Sequence, residues 1–229
     1  MPSSLPTHIG YIVDGNRRWA KQRGLSASEG HAAGYEVVKT IIIDTIKRGV
    51  PYVSAYIFST ENWQRSPIEV NFLMKLIVRV LTDDLHIFIE NNIRLRIAGS
   101  KKRLTKGVLR AIDEAEQKTK HLTGGQAIIC LNYGGHQELA DAFEAMRDHV
   151  DGDEVITPQI IEQFLYTPDV PACDLIVRTS GEQRLSGYML WRSTYSELLF
   201  LKKHWPDMTT KDVSSILKEY ERRERRHGS

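Results

Sequence analysis

Asp14-Gly15-Asn16-Arg17-Arg18 places one carboxylate, a turn tripeptide and two guanidiniums in consecutive positions. Before it, Ile9, Tyr11, Ile12 and Val13 suit a buried strand; after it, Trp19-Ala20-Lys21 can open a helix. A strand, a glycine turn and a helix start leave backbone N–H groups unpaired on one side, a setting that binds phosphate. Asp14 then falls at the carboxyl end of its strand, where open parallel sheets place their ligands. A carboxylate beside two guanidiniums and such a nest suits a metal-bridged phosphate. The same residues also describe an Asp-capped turn with two solvated arginines, and the stretch alone leaves both readings open.

Other polar turns follow apolar runs. Ser59, Glu61, Asn62 and Arg65 come after Tyr52 to Phe58, and Asn132, Gly134 and Gly135 after Gln126 to Leu131. Arg178, Arg184 and Ser186 come after Cys173 to Val177. If the runs are strands of one parallel sheet, all these turns lie on one edge. Arginines converging there repel one another without an anion, which implies a polyanionic ligand. With Asp14 the one carboxylate of the first turn, a Mg²⁺ bridging to diphosphate oxygens fits, because such an ion needs few protein carboxylates. Glu197 is a second metal candidate, or equally a structural acid paired with an arginine.

The elements that must position these groups alternate along the chain. The pattern predicts a polar loop over 24–30, a helix from His31 to Val50 and a strand from Tyr52 to Phe58. Ser66-Pro67 opens a long apolar helix reaching to about Asn91. A strand over Ile93 to Ala98, a charged helix over Lys101 to Lys120 and an apolar strand over Gln126 to Leu131 come next. Helices over 137–149 and from Thr157-Pro158 lead to the strand Cys173 to Val177. Short strands are expected at Tyr188 to Trp191 and Leu198 to Leu201, and a terminal helix over Thr209 to Arg226. The fold class is therefore α/β, with a central, mostly parallel sheet of about six strands flanked by helices. No linker or repeat divides residues 1–229, so a single domain is expected.

A net charge of +2 gives no bulk drive toward nucleic acid. Cys130 and Cys173 sit in apolar runs without metal-ligand spacing and read as reduced core residues of a cytoplasmic protein. The first residues lack the pattern of a signal peptide, and no apolar run approaches the ~20 residues that span a membrane. Peripheral contact with a membrane stays open.

Taken together, the motifs resemble those of the cis-prenyltransferases, the undecaprenyl diphosphate synthase family. They are Asp14-Gly15-Asn16-x-Arg18-Trp19-Ala20, Gly30-His31-x-x-Gly34, Phe58-Ser59-Thr60-Glu61-Asn62-Trp63-x-Arg65, Asn132-Tyr133-Gly134-Gly135, the run Asp174 to Ser186, and Tyr195-Ser196-Glu197-Leu198. They stand in family order over nearly the whole chain. The resemblance implies an apolar tunnel beside the sheet and Mg²⁺-dependent condensation of isopentenyl diphosphate onto an allylic diphosphate, geranyl or farnesyl, to give a Z-polyprenyl diphosphate. It makes Asp14 the metal-positioning carboxylate and Glu197 the second. Gly15, Asn16, Arg17 and Arg18 would hold the allylic diphosphate, with His31 and Arg65 nearby and Ser59, Glu61 and Trp63 in the same substrate-binding set. Arg178, Arg184 and Ser186 would hold isopentenyl diphosphate. Trp19 and Phe58 would flank the reacting chains, and Asn62 would orient substrate for proton loss. Arg226 and Gly228 resemble an element that reaches into a partner subunit, which implies a homodimer.

Two departures from the family pattern stand out. Residues 25–29, Leu-Ser-Ala-Ser-Glu, lack the Arg that many members carry before Gly30-His31, leaving Arg17 as the expected substitute. Ile57 stands where long-chain bacterial members usually have Ala, and its branch would narrow the tunnel. A product shorter than undecaprenyl is therefore expected. The competing readings are an undecaprenyl diphosphate synthase proper, supplying a cell-wall lipid carrier, and a non-catalytic partner subunit, which would typically have lost Asp14 and its arginines. A phosphohydrolase is disfavoured, since no Walker A motif is present and no second Asp comes two residues after Asp14. Asp83-Asp84 lacks the spacing of the aspartate-rich motifs of trans-prenyltransferases.

Overall fold

The computed structural model describes residues 5–149 and 154–223. Its six parallel strands are β1 (His8–Ile12), β2 (Tyr52–Ser59), β3 (Ile93–Ala98), β4 (Gly125–Tyr133), β5 (Leu175–Arg178) and β6 (Glu197–Phe200), in the spatial order β3-β4-β2-β1-β5-β6. The chain winds to one side of β1 and then crosses to the other, so the strand order reverses between β1 and β5. That crevice, outside the carboxyl ends, is where a doubly wound sheet binds ligands.

Period-two alternation sorts the side chains. Ile9, Tyr11, Val53, Ala55, Ile129 and Val177 enter one core, and Ile12, Tyr56, Ile128, Cys130 and Ile176 enter a second core on the other face. The first core is covered by α2 (Ala27–Lys47), α3 (Pro67–Leu81), α4 (Leu85–Glu90), α5 (Lys106–Thr119) and α8 (Thr210–Arg222). The second lies beneath Tyr188, Met189 and the 166–173 segment, with α6 (Gly135–Met146) and α7 (Pro158–Phe164) outside it. Cys130 and Cys173 are free and buried, as expected of core residues. No described helix is long and apolar enough to cross a membrane.

Three expectations need correction. Residues 24–30 are not all loop: Ser26 and Glu29 form a capping box that starts α2 at Ala27. The apolar helix predicted from Pro67 to Asn91 breaks after Leu81. Thr82 turns its hydroxyl back to the Val78 carbonyl, and Asp84 leaves the helical path to meet Lys39 and Tyr35 on α2. Tyr188 to Trp191 is not a strand; the fully buried Tyr188 ring stacks on Tyr56 at 5.0 Å, and its hydroxyl lies 2.5 Å from Ser54 Oγ. Arg226 and Gly228 lie outside the described residues.

His8 shows what the second core demands. Fully buried, it donates from Nδ1 to the Pro171 carbonyl at 2.8 Å and accepts from Ser54 Oγ at Nε2, 2.7 Å away. Burial lowers its pKa from 6.5 to about 4 despite the Pro171 hydrogen bond. Below the ordinary value the unfolded chain takes up a proton that the folded chain refuses, so stability falls as pH drops from about 6.5 toward 4. Urea unfolding should therefore lose about 2 kcal/mol to His8 between about pH 7 and about pH 5. A His8→Gln variant, measured alongside, should show a flatter pH dependence over that window.

Candidate active site

Asp14 is held from β5 and the turn beyond it. Arg178, the last residue of that strand and only 4% exposed, donates from Nη2 to Asp14 Oδ2 at 2.9 Å. Its Nη1 bonds Ser186 Oγ at 2.9 Å and the Arg184 carbonyl, which draws the 184–186 turn back over the sheet edge. Arg18, one turn into α1 (Asn16–Gln22), donates to Asp14 Oδ1 at 3.1 Å and to Glu182 at 2.7 Å. Arg184 bonds the other Glu182 oxygen at 2.5 Å. Burial raises the Asp14 pKa, but the bonds and charges of Arg178 and Arg18 outweigh it and hold the carboxyl below its ordinary value. Asp14 is therefore an anion at neutral pH.

The backbone around Asp14 is equally fixed. Thr179 Oγ1 accepts from the Asp14 N–H at 3.0 Å and donates to its carbonyl at 2.7 Å. Gly15 has φ of 103°, and a Cβ there would strike Ser180 Oγ and His204 Nδ1, themselves 2.6 Å apart. Gly15 caps α1 without a side chain, so the first-turn N–H groups are left to solvent or a ligand.

The Gly30-x-x-x-Gly34 spacing now has a physical reason. A Cβ at Gly30 would run into the Asn16 carbonyl, and one at Gly34 would lie 2.5 Å from Asn16 Oδ1. The two glycines let α2 sit directly against the start of α1, with Asn16 pressed between them and the cavity.

That cavity, of about 900 Å³, opens at the Asp14 turn and runs between the sheet, α2 and α3. Its mouth carries Arg17, Arg18, Arg65, Arg178 and Arg184, against Asp14 as the one lining carboxylate among the described residues. Deeper in, Val38, Leu73, Leu76, Ile77, Val80 and Leu81 line it. On the α2–α3 side of the mouth, His31 Nε2 and Arg65 Nη1 each lie 3.0 Å from Glu69 Oε1, and Arg17 is 3.9 Å from the other Glu69 oxygen. Burial lowers the His31 pKa, an effect the Glu69 hydrogen bond only partly opposes, so His31 is neutral at pH 7.

Most of the predicted residues thus meet: Asp14, Gly15, Asn16, Arg17, Arg18, His31, Ser59, Asn62, Arg65, Arg178, Arg184 and Ser186 all line the cavity. Ile57 does too. It falls where β2 and β4 lose register, between the pairs Tyr56–Cys130 and Phe58–Leu131, a bulge that turns an extra residue toward the site. Asn62 Oδ1 accepts from the Ser59 N–H at 3.2 Å, which ties the loop after β2.

Several expectations are not met within the chain. Trp19 donates to Asp207 at 2.7 Å beneath the Arg23 guanidinium and is off the cavity wall. Phe58 is fully buried in the first core against Trp63, while Trp63 bonds Asn132, so neither lines the cavity; Glu61 faces solvent beside Thr60. Glu197 is level with Leu175 and Ile9 at the amino ends of the strands. Asp14 lies five positions beyond Ile9, roughly 16 Å up the strand direction, and Glu197 pairs instead with Arg223 at 2.8 Å. Arg18 groups with the Arg178–Arg184 side rather than with His31 and Arg65.

Glu69 and Glu182 are the residues that sequence reasoning missed. Ser66-Pro67-Ile68-Glu69 has the form of a helix start, and Arg65 four residues before Glu69 was a signal for the pair. Lys21 also lines the mouth, adding a cation near the segment 25–29 that lacks one. No cluster of three metal-ligating side chains occurs among the described residues. Both Asp14 oxygens are engaged by arginines, so the donor set fits a Mg²⁺ shared with diphosphate oxygens rather than a cation held by protein alone.

The comparisons with known proteins agree with this geometry. A family model described as "Putative undecaprenyl diphosphate synthase" matches residues 12–228. An isoprenyl transferase of Thermotoga maritima is 44% identical over 226 residues, covering 98% of this chain and 97% of the relative. A trans,polycis-polyprenyl diphosphate synthase specific for (2Z,6E)-farnesyl diphosphate, from Thermobifida fusca, is 44% identical over 98% of this chain and 81% of its own. Among solved structures, lavandulyl diphosphate synthase from Lavandula x intermedia, in complex with dimethylallyl diphosphate, superposes with a TM-score of 0.94 at 31% identity and 99% coverage of both chains.

The glycine contacts yield a separable pair of outcomes. Gly30→Ala meets backbone and should cost about 1–3 kcal/mol in denaturant unfolding. Gly34→Ala meets only the Asn16 side-chain amide. It should leave stability nearly unchanged while weakening the protection that inorganic diphosphate gives in a thermal melt.

Proposed function

The chain belongs to the undecaprenyl diphosphate synthase family of prenyltransferases, and from that premise we propose that it condenses isopentenyl diphosphate onto an allylic diphosphate such as geranyl or farnesyl diphosphate, with Mg²⁺, to give a Z-prenyl diphosphate. One observation carries the reading: five arginines and Asp14 ring the mouth of a cavity whose inner wall is mostly apolar. A diphosphate head with a hydrocarbon tail has that same polarity along its length. In this reading the cavity is the tunnel for the tail. A non-catalytic partner subunit would not need Asp14 with its arginines intact.

The two sides of the mouth divide the work. Gly15, Asn16 and Arg17, with His31 and Arg65, receive the allylic diphosphate. Arg178, Arg184 and Ser186 receive isopentenyl diphosphate, and Arg18 bridges toward them through Glu182. Asp14 would hold Mg²⁺ on diphosphate oxygens, where the ion stabilises the charge of the leaving group. For that, diphosphate must replace Asp14 as partner of Arg178 and Arg18, freeing the carboxylate. Neutral His31 donates or accepts a hydrogen bond without adding charge. Asn62, fixed by Ser59, orients the reacting chain. Glu197, at the far edge of the sheet, takes no part in the Asp14 site of its own chain. The chain works as a homodimer, the assembly that the family resemblance of Arg226 and Gly228 implies.

Incubation with isopentenyl diphosphate, Mg²⁺ and a panel of primers, followed by mass analysis, tests this. Prenyl diphosphates should appear, and Asp14→Ala or removal of Mg²⁺ with EDTA should lower turnover by at least about a hundredfold. Full activity in Asp14→Ala overturns the metal assignment.

The bulged Ile57 narrows the cavity on the strand side. The main product should be shorter than undecaprenyl, and Ile57→Ala should lengthen it. An undecaprenyl main product from the unmodified enzyme refutes this account of Ile57.

A further inference from the structure

The cavity begins at arginines and ends on a second set of charges. Lys39 is the last residue of α2 on its wall, eight positions and roughly 12 Å of helix beyond His31. Leu81 and Phe88 are the last wall residues from α3 and α4. Between these two stands Asp84, brought there by the helix break at 82–84. Lys39 Nζ and the Tyr35 hydroxyl both donate to Asp84 Oδ2 at 2.5 Å, and the ammonium lies 4.5 Å above the Tyr35 ring. Lys39 and Asp84 are each 7% exposed. Outside them, Glu36 lies 2.7 Å from Lys39 Nζ, and Arg79 stands 3.8 Å from both Glu36 and Asp84. The cluster thus runs from the cavity wall to solvent along the seam between α2 and the α3–α4 corner.

Resting on the prenyltransferase reading above, we propose that the Lys39–Asp84–Tyr35 cluster is a polar floor that fixes the length of the prenyl product. A growing apolar chain that reaches Lys39 must either part a buried ion pair or press hydrocarbon against a desolvated ammonium, and both are unfavourable. Elongation stops at the unit that would meet it. Stability alone does not call for such a pair, since well-packed apolar residues of similar volume hold an interior as well or better. The deep wall beside it is formed by Val38, Leu73, Ile77, Val80, Leu81 and Phe88, so an apolar pair would have continued it. This floor is distinct from Ile57, which constricts the cavity from β2.

Lys39→Met/Asp84→Leu keeps side-chain size and removes the charge. With isopentenyl diphosphate, Mg²⁺ and farnesyl diphosphate, its main product should be longer than that of the unmodified enzyme by one isoprene unit or more. Primer should still be consumed, so that the ladder can be read. Lys39→Gln/Asp84→Asn, still polar, should keep the original product ladder. A Met/Leu variant that elongates with the original ladder overturns the floor. If that variant gives no cooperative melt, Lys39→Met/Asp84→Asn carries the same expectation and the same refutation. An unmodified enzyme that consumes no primer takes down the prenyltransferase reading and the floor with it. One that elongates, beside a variant with the same ladder, takes down the floor alone.

Discussion

A guanidinium cannot be buried alone, and Arg178 is buried because Asp14 meets it. The rest of the site takes its position from that pair, which spans the crevice where the strand order reverses. Thr179, the next residue, clamps both backbone groups of Asp14. Ser180 and His204 then leave no room for a side chain at position 15, so a glycine turns the chain into α1. Asn16 comes next and rests on Gly34, which sets how closely α2 approaches. Each contact is a consequence of the one before it. Asp14 also leaves Arg178 and Arg18 partnered, which lessens the repulsion among the cations of the mouth.

The strand pattern was legible because a parallel sheet buried on both faces calls for short, nearly continuous apolar runs bounded by turns. It placed the four strand-end turns on one edge. Glu197 stands apart because its motif marks where β6 begins, as the strand expected from Leu198 already implied, while the other turns mark where strands end. Trp19 and Phe58 lie off the cavity wall for local reasons. Both neighbour site residues in sequence, but Phe58 packs into the first core against Trp63 beside the bulge, and a helix turns Trp19 about 100° from Arg18. The bulge at Ile57 and the pairing of Glu69 with His31 depend on contacts between distant segments, so periodicity could not contain them. The Gly30 and Gly34 spacing was visible as a motif, yet its cause is Asn16, fourteen residues before Gly30.

The helix expected from Pro67 to Asn91 illustrates the remaining gap. Its apolar pattern runs through the break with hardly a change, so hydrophobic periodicity favours a continuous helix there. What ends it is the demand of Lys39, a buried ammonium on another helix, for a carboxylate. Thr82-Asp83-Asp84 are weak helix formers whose side chains readily bond the nearby backbone, and the cost of bending there is low. Asp84 gives Lys39 a buried partner beside the exposed Glu36. The two ends of the cavity therefore obey one rule. At the mouth, buried Arg178 draws Asp14 from a neighbouring strand; at the deep end, buried Lys39 draws Asp84 out of a helix. Between them the wall is mostly apolar, so the two buried ion pairs stand at opposite ends of one stretch of hydrocarbon surface.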